Sequence, residues 1–93
     1  MKVEHSHDNK KGEFFILVDG KKIASMIYVF AGETKIIIEH TVVDPSQEGK
    51  GLGRQLVNAA VEFARQNGIK IMPLCPYAKR VLEGSEAYKD VLF

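Results

Sequence analysis

Three groups of residues in this chain have the types and spacing that chemistry needs. The first is Gly49-Lys50-Gly51-Leu52-Gly53-Arg54, inside the stretch Val42 to Val57, VVDPSQEGKGLGRQLV: an apolar strand end, a turn, a glycine-rich loop and the first turns of a helix. Alternate glycines leave backbone amides that no Cβ shields, and the helix that follows adds its unpaired first-turn N–H groups and positive dipole end. Such an arrangement binds anions, phosphate most naturally. Lys50 and Arg54 oppose the helix dipole where they stand, unless a bound anion makes them charge-assisted partners. The second is Cys75, which precedes Pro76, a favoured first helical residue, and so falls at or next to a helix N-cap. Dipole and unpaired amides there favour the thiolate, a nucleophile or base; the alternative is a small buried hydrophobe. The third is His40, in the strand before the loop. Its ordinary pKa suits a general base, with a hydrogen-bonded structural histidine as the alternative. Neighbouring Glu39 is a second candidate base, and strand alternation puts it on the opposite face, so at most one of the pair points into a common cleft.

These residues need elements to hold them, and the patterning supplies a single domain over residues 1–93. Met1 to Gly12 is polar apart from Val3 and forms either a loose arm or a short edge strand. Glu13 to Val18 reads as a strand, Asp19-Gly20 as a hairpin turn, and Lys22 to about Phe30 as the second strand. Thr34 to Val43 follows as a third, completing an antiparallel meander. Ile36, Ile38 and Val42 fall on one face of it and Ile37, Thr41 and Val43 on the other, the pattern of a central strand covered on both sides. From Gly51 to Asn67 the residues Leu52, Leu56, Ala59, Ala60 and Phe63 recur at helical spacing, and Gly68 ends the helix. Ile69 to Leu74 is then a short strand parallel to the third, joined by a right-handed crossover. Tyr77 to Glu83 makes a short helix broken by Gly84, and Glu86 to Phe93 a final turn or two whose Tyr88, Val91 and Leu92 dock on the core. The fold class is therefore α+β with a mixed sheet: antiparallel meander, crossover helix, parallel strand and short C-terminal helices.

Two familiar phosphate loops fail. A Walker loop needs Lys then Ser or Thr after its last glycine, and Gly53 is followed by Arg54 and Gln55. A dinucleotide fingerprint spaces its glycines GxGxxG, and GKGLG does not. What the loop does resemble is the acyl-CoA loop of the GNAT superfamily of N-acetyltransferases, whose pattern is Arg or Gln, two residues, Gly, one residue, then Gly or Ala. The pattern falls on Glu48, Gly51 and Gly53, after a Val43-Asp44-Pro45 that commonly leads into it. Glu48 is a departure that sets a negative charge beside the phosphates. The resemblance covers Thr34 to Leu82 in the expected order.

That resemblance implies acetyl-CoA as cosubstrate, its pyrophosphate on the loop amides and its pantetheine between two splayed strands, here Ile36 to Val43 and Ile69 to Leu74. The implied acetyl-CoA residues are Val42, Val43, Gly49, Lys50, Gly51, Leu52, Gly53 and Arg54. The Leu74-Cys75-Pro76-Tyr77 run and the His40-Thr41 pair resemble a group of short GNAT-like proteins in which a cysteine recurs at this place; Val42 departs from the Glu usual there. In the larger enzymes an Asn stands at the Cys75 position, an Ala three residues on, matched by Ala78, and a Tyr seven residues on acts as general acid. Leu82 holds that last position and cannot donate a proton. The implied activity is acetyl transfer to an unidentified amine, small molecule or protein, directly or through a Cys75 thioester, with Cys75 and His40 as the catalytic residues. A CoA-binding or protein-interaction module with little turnover is the alternative. The helices that usually lie between the first strands are missing, which leaves the acceptor side exposed.

Composition bounds the rest. Ninety-three residues give one core but little room for a closed pocket. A net charge of +1 provides no basic field for nucleic acid, and no apolar run is long enough for a membrane span. The polar N-terminus lacks the apolar core of a signal peptide, so a cytoplasmic monomer or weak dimer is expected. Cys75 is the only cysteine, no zinc spacing appears, and His5 and His7 read as surface histidines rather than metal ligands.

Overall fold

Alternating apolar residues in the N-terminal half, with a turn at Asp19-Gly20, produce strands Glu4–His7 (β1), Lys11–Val18 (β2), Lys21–Phe30 (β3) and Lys35–Val43 (β4). The computed structural model describes residues 2–93. Its one sheet has the order β1-β2-β3-β4-β5, antiparallel through β4, with Lys70–Pro73 (β5) parallel to β4. Helix Leu52–Asn67 (α1) makes the crossover and Pro76–Glu83 (α2) follows β5. Short 3₁₀ turns occupy Pro45–Gln47 and Glu86–Tyr88. The mixed sheet, crossover helix and parallel strand are those expected from the sequence, and the polar N-terminal segment resolves to an edge strand.

Both helices lie on one face of the sheet. Phe14, Ile16, Ala24, Met26, Tyr28, Ile36 and Ile38 bury against Leu56, Val57, Ala60, Val61 and Ala64 of α1, and α2 adds Ala78, Val81 and Leu82. Burying one such aliphatic side chain is worth about 1.5–3 kcal/mol, so this single interior carries most of the fold's hydrophobic stabilisation. The opposite face is bare: Leu17 is 45% exposed, Ile27 39% and Val42 63%. The expectation of a third strand covered on both sides is therefore corrected.

The faces of β4 need the same correction. Ile27 pairs with His40 and Tyr28 with Ile38, so Glu39 is an extra residue, a β-bulge. The bulge reverses the alternation beyond it. Thr41 lies opposite buried Met26 and Val43 opposite buried Ala24, which puts both on the helix side with Ile36 and Ile38. His40 and Val42 turn to the bare side with Ile27 and Ser25.

Pairing between β4 and β5 ends at Ile38–Pro73. The amides of Leu74 and Cys75 both donate to the Ile38 carbonyl, at 3.0 and 3.1 Å, as the chain turns into α2. Beyond that point β4 runs on from Glu39 to Val43 with no β5 partner, and the two strands part. At the far edge of β5 the C-terminus adds a short bridge, Ile71 N–H to the Val91 carbonyl and Phe93 N–H to the Ile71 carbonyl.

His5 and His7 are exposed, as expected of surface histidines, and their rings pack on aromatic neighbours. Both lie on the helix face of β1: His5 stacks on Phe14 with ring centroids 4.0 Å apart, meets Phe63 edge-on, and its Nε2 shares a hydrogen bond with the Tyr28 hydroxyl at 2.6 Å. Burial pushes the Tyr28 phenol up to about 12, so it stays protonated. Among the described residues no group of three or more His, Cys, Asp or Glu could hold a metal ion.

Candidate active site

The loop between β4 and α1 is held from its first residue. Asp44 caps the 3₁₀ turn, accepting from the Ser46 amide at 2.9 Å and hydroxyl at 2.8 Å, and pairs with Lys21 at 3.4 Å. These partners, the Ser46 amide first, hold its carboxyl below the usual range. Lys50 reaches back to the Gln47 side chain at 3.0 Å. Gly49 and Gly51 both adopt left-handed backbone, with φ of 82° and 74°. Gly51 is the N-cap of α1; no side chain caps this helix and no acidic residue stands in its first turn. The first-turn amides are thus left for a ligand. Arg54 is exposed at the same helix end.

A cleft of about 480 Å³ runs between Thr41 and Val43 of β4, the loop from Glu48 to Gly53, and Tyr77 of α2. Tyr77 forms a wall by close approach. A Cβ on Gly53 would lie 2.8 Å from the phenol ring, so a side chain there would displace the Tyr77 ring from this wall. Leu52 is buried and lines the cleft. Another cleft, at Ser6, His7, Lys11 and Lys22, lies away from the loop and from Cys75.

Cys75 is the N-cap of α2, as its position before Pro76 suggests, and is 6% exposed. Its Sγ lies 3.4 Å from the Thr41 Oγ1. Burial pushes the thiol up, but the Thr41 hydroxyl and the nearby amides of Ala78 and Tyr77 outweigh it, and the thiol lies below its ordinary value. The amides approach the sulfur without closing a cap hydrogen bond.

The predicted residues divide. Val43, Gly49, Gly51, Leu52 and Gly53 meet around the cleft, with Lys50 and Arg54 at its exposed rim. Val42 does not line it, because its side chain is on the bare face. His40 is exposed on that same face and is not brought to Cys75. Leu82 and Ala78 are fully buried core residues. Thr41 is the residue that sequence reasoning missed; its type gave no signal, and only the bulge sets it against the thiol.

The family profile described as GCN5-related N-acetyltransferase matches residues 13–91, nearly the whole of the sheet and both helices. The chain belongs to the GCN5-related N-acetyltransferase family. A GCN5-like protein of Staphylococcus aureus, solved by NMR, is 33% identical, with a TM-score of 0.77 over 99% of this chain and 87% of that one. The ribosomal-protein-alanine N-acetyltransferase of Brucella melitensis shares the fold at 18% identity, with a TM-score of 0.66 over 92% of this chain and 64% of that one. Among curated proteins, Protein NATD1 of Gallus gallus is 24% identical over 87% of this chain and 74% of its own length. Members of the GCN5-related family take acetyl-CoA as cosubstrate. The uncapped loop and the parted strands fit that cosubstrate in the members' common scaffold.

Proposed function

We propose that this chain transfers the acetyl group of acetyl-CoA to an amine by way of Cys75. The observation that carries the reading is one continuous cleft, with free loop amides at one end and, at the other, Thr41 in contact with a thiol whose pKa lies below its ordinary value. The amides from Gly49 to Arg54 hold the pyrophosphate, with Lys50 and Arg54 as charge partners, and the unpaired edge of β4 from Glu39 to Val43 guides the pantetheine as an added strand would. Cys75 Sγ, as thiolate, attacks the acetyl carbonyl carbon. A new C–S bond forms, the bond to the CoA sulfur breaks, and the departing thiolate takes up the proton that Cys75 gave up, so one thioester replaces another. An amine then attacks the Cys75 thioester, loses a proton and leaves Cys75 free. That proton passes to the departing Cys75 sulfur; His40, on the opposite face of the sheet, serves neither Cys75 nor the amine attacking it. Leu82 cannot supply the acid of the larger enzymes, so turnover is expected to be slow unless Tyr77, which lines the cleft, supplies a proton.

Intact mass after mixing with acetyl-CoA tests this. The native chain is expected to gain a single acetyl group that an added amine removes, and Cys75→Ala to gain none. A Cys75→Ala variant that acetylates amines at the native rate would overturn the two-step route and leave direct transfer. A chain that neither binds acetyl-CoA nor acetylates any amine would leave a protein-interaction module.

A further inference from the structure

The bulge at Glu39 exchanges the residue that meets Cys75. In an unbroken β4, alternation would carry His40 to the side of Ile36 and Ile38 and turn Thr41 away. With the bulge, Thr41 faces the helices and lies against the sulfur at 3.4 Å, while His40 pairs with Ile27 on the bare side. Thr41 lines the cleft, and the sulfur of Cys75, a residue 6% exposed, lies beside it at the cleft wall. We propose that Thr41 is the positioning residue of Cys75, holding Sγ at the cleft wall and supplying the hydrogen bond that the sulfur needs as it reacts. The inference rests on the Cys75 route above and deepens it by naming the group that activates the nucleophile.

One hydroxyl serves both states of the sulfur. The neutral thiol donates to Thr41 Oγ1; once ionised, the sulfur accepts from the same hydroxyl, which needs only to rotate about its C–O bond. No charged side chain takes part in lowering the thiol: besides Thr41, the contributing groups are the amides of Tyr77 and Ala78 at the start of α2. Neither His40 nor Glu39 contributes. Among the described residues, the hydroxyl is thus the only side-chain hydrogen bond that the sulfur makes. Valine at this position would keep the shape of threonine and remove the donor.

The Cβ resonance of ¹³C-labelled Cys75, followed against pH, reads the thiol without requiring a reagent to reach it. Thr41→Val is expected to raise the titration midpoint by about one pH unit, the scale of a lost hydrogen bond to a charged group. Thr41→Ser is expected to restore the native midpoint and His40→Gln to leave it in place. The rate of acetyl-adduct formation at neutral pH is expected to fall about tenfold in Thr41→Val and to recover in Thr41→Ser, following the thiolate fraction. If folding of the valine variant is compromised, Thr41→Ala, which also lacks the donor, must show the same rise. An unshifted midpoint in the folded loss variant, or an equal rise in His40→Gln, overturns the proposal. That titration is independent of acetyl transfer: an unshifted midpoint with the adduct still forming sinks the role of Thr41 alone, whereas a native chain that forms no adduct sinks the Cys75 route.

Discussion

At the scale of single residues, the loop depends on backbone conformation more than on space. Gly51 has φ of +74°, and a Cβ there would meet nothing within 4 Å, so a side chain at this position is excluded by strain and not by crowding. Gly51→Val is expected to cost about 1–3 kcal/mol, the usual scale for a non-glycine residue held in a sparsely populated region. For a domain of this size that lowers the melting temperature by about 4–8 °C per kcal/mol. Asparagine tolerates this region better and should lose less. Thermal denaturation of the two variants, with acetyl-CoA titrated against the loop amides, checks both parts. A valine variant as stable as the native chain would mean that the loop does not hold this geometry. Gly53 differs in kind: its φ is ordinary, and what requires glycine there is the Tyr77 ring.

At the scale of elements, β1 and β4 each do more than extend the sheet. In β1, His5 stacks between aromatic rings and shares a hydrogen bond with Tyr28; burial, then the neighbouring His7, holds its pKa below the ordinary value. The folded state therefore prefers the neutral ring. Its stabilising contribution is full above the unfolded pKa near 6.5 and is lost as pH falls through the lower folded value. Stability in urea is accordingly expected to decline as pH falls below about 6.5 in the native chain and to decline less in His5→Gln. Equal pH dependence in the two would show that β1 does not shelter the ring. In β4 the extra residue at Glu39 acts twice, turning Thr41 toward α2 and His40 toward the open face.

At the scale of the whole molecule, a one-sided core leaves two sheet edges to be managed. The β1 edge is short and polar, Glu4–His7, which discourages pairing with another chain. The β5 edge is covered by Val91 to Phe93, and that cover is held by Arg65 of α1, which donates to Asp90 at 2.8 Å and to the Ala87 carbonyl at 2.6 Å. Asp90 raises the Arg65 pKa, so the clamp remains charged at any working pH. Arg65→Ala is expected to speed hydrogen exchange at the amides of Ile71 and Phe93 while leaving central β3 amides unchanged, since exposed ion pairs add little to global stability. Unchanged exchange at Ile71 would mean that the C-terminus stays docked without the clamp. Among the described residues no helix is long and apolar enough to cross a membrane. By itself the amino-acid sequence determined the meander of β2, β3 and β4, α1 with its stop at Gly68, the glycine loop at its start and Cys75 before Pro76, because each depends on local spacing, turn chemistry or a cap within a few residues; whether the N-terminal segment joined as β1 it left open. It could not determine which face of β4 each residue occupies. Alternation passed straight through Glu39, and nothing in Ile38-Glu39-His40-Thr41 marks a bulge. That feature arises where β4 must keep its pairing with β3 while parting from β5, a condition set by strands distant in the chain. The meeting of Thr41 with Cys75, the separation of His40 from both, and the bare face of the sheet were decided by tertiary structure alone.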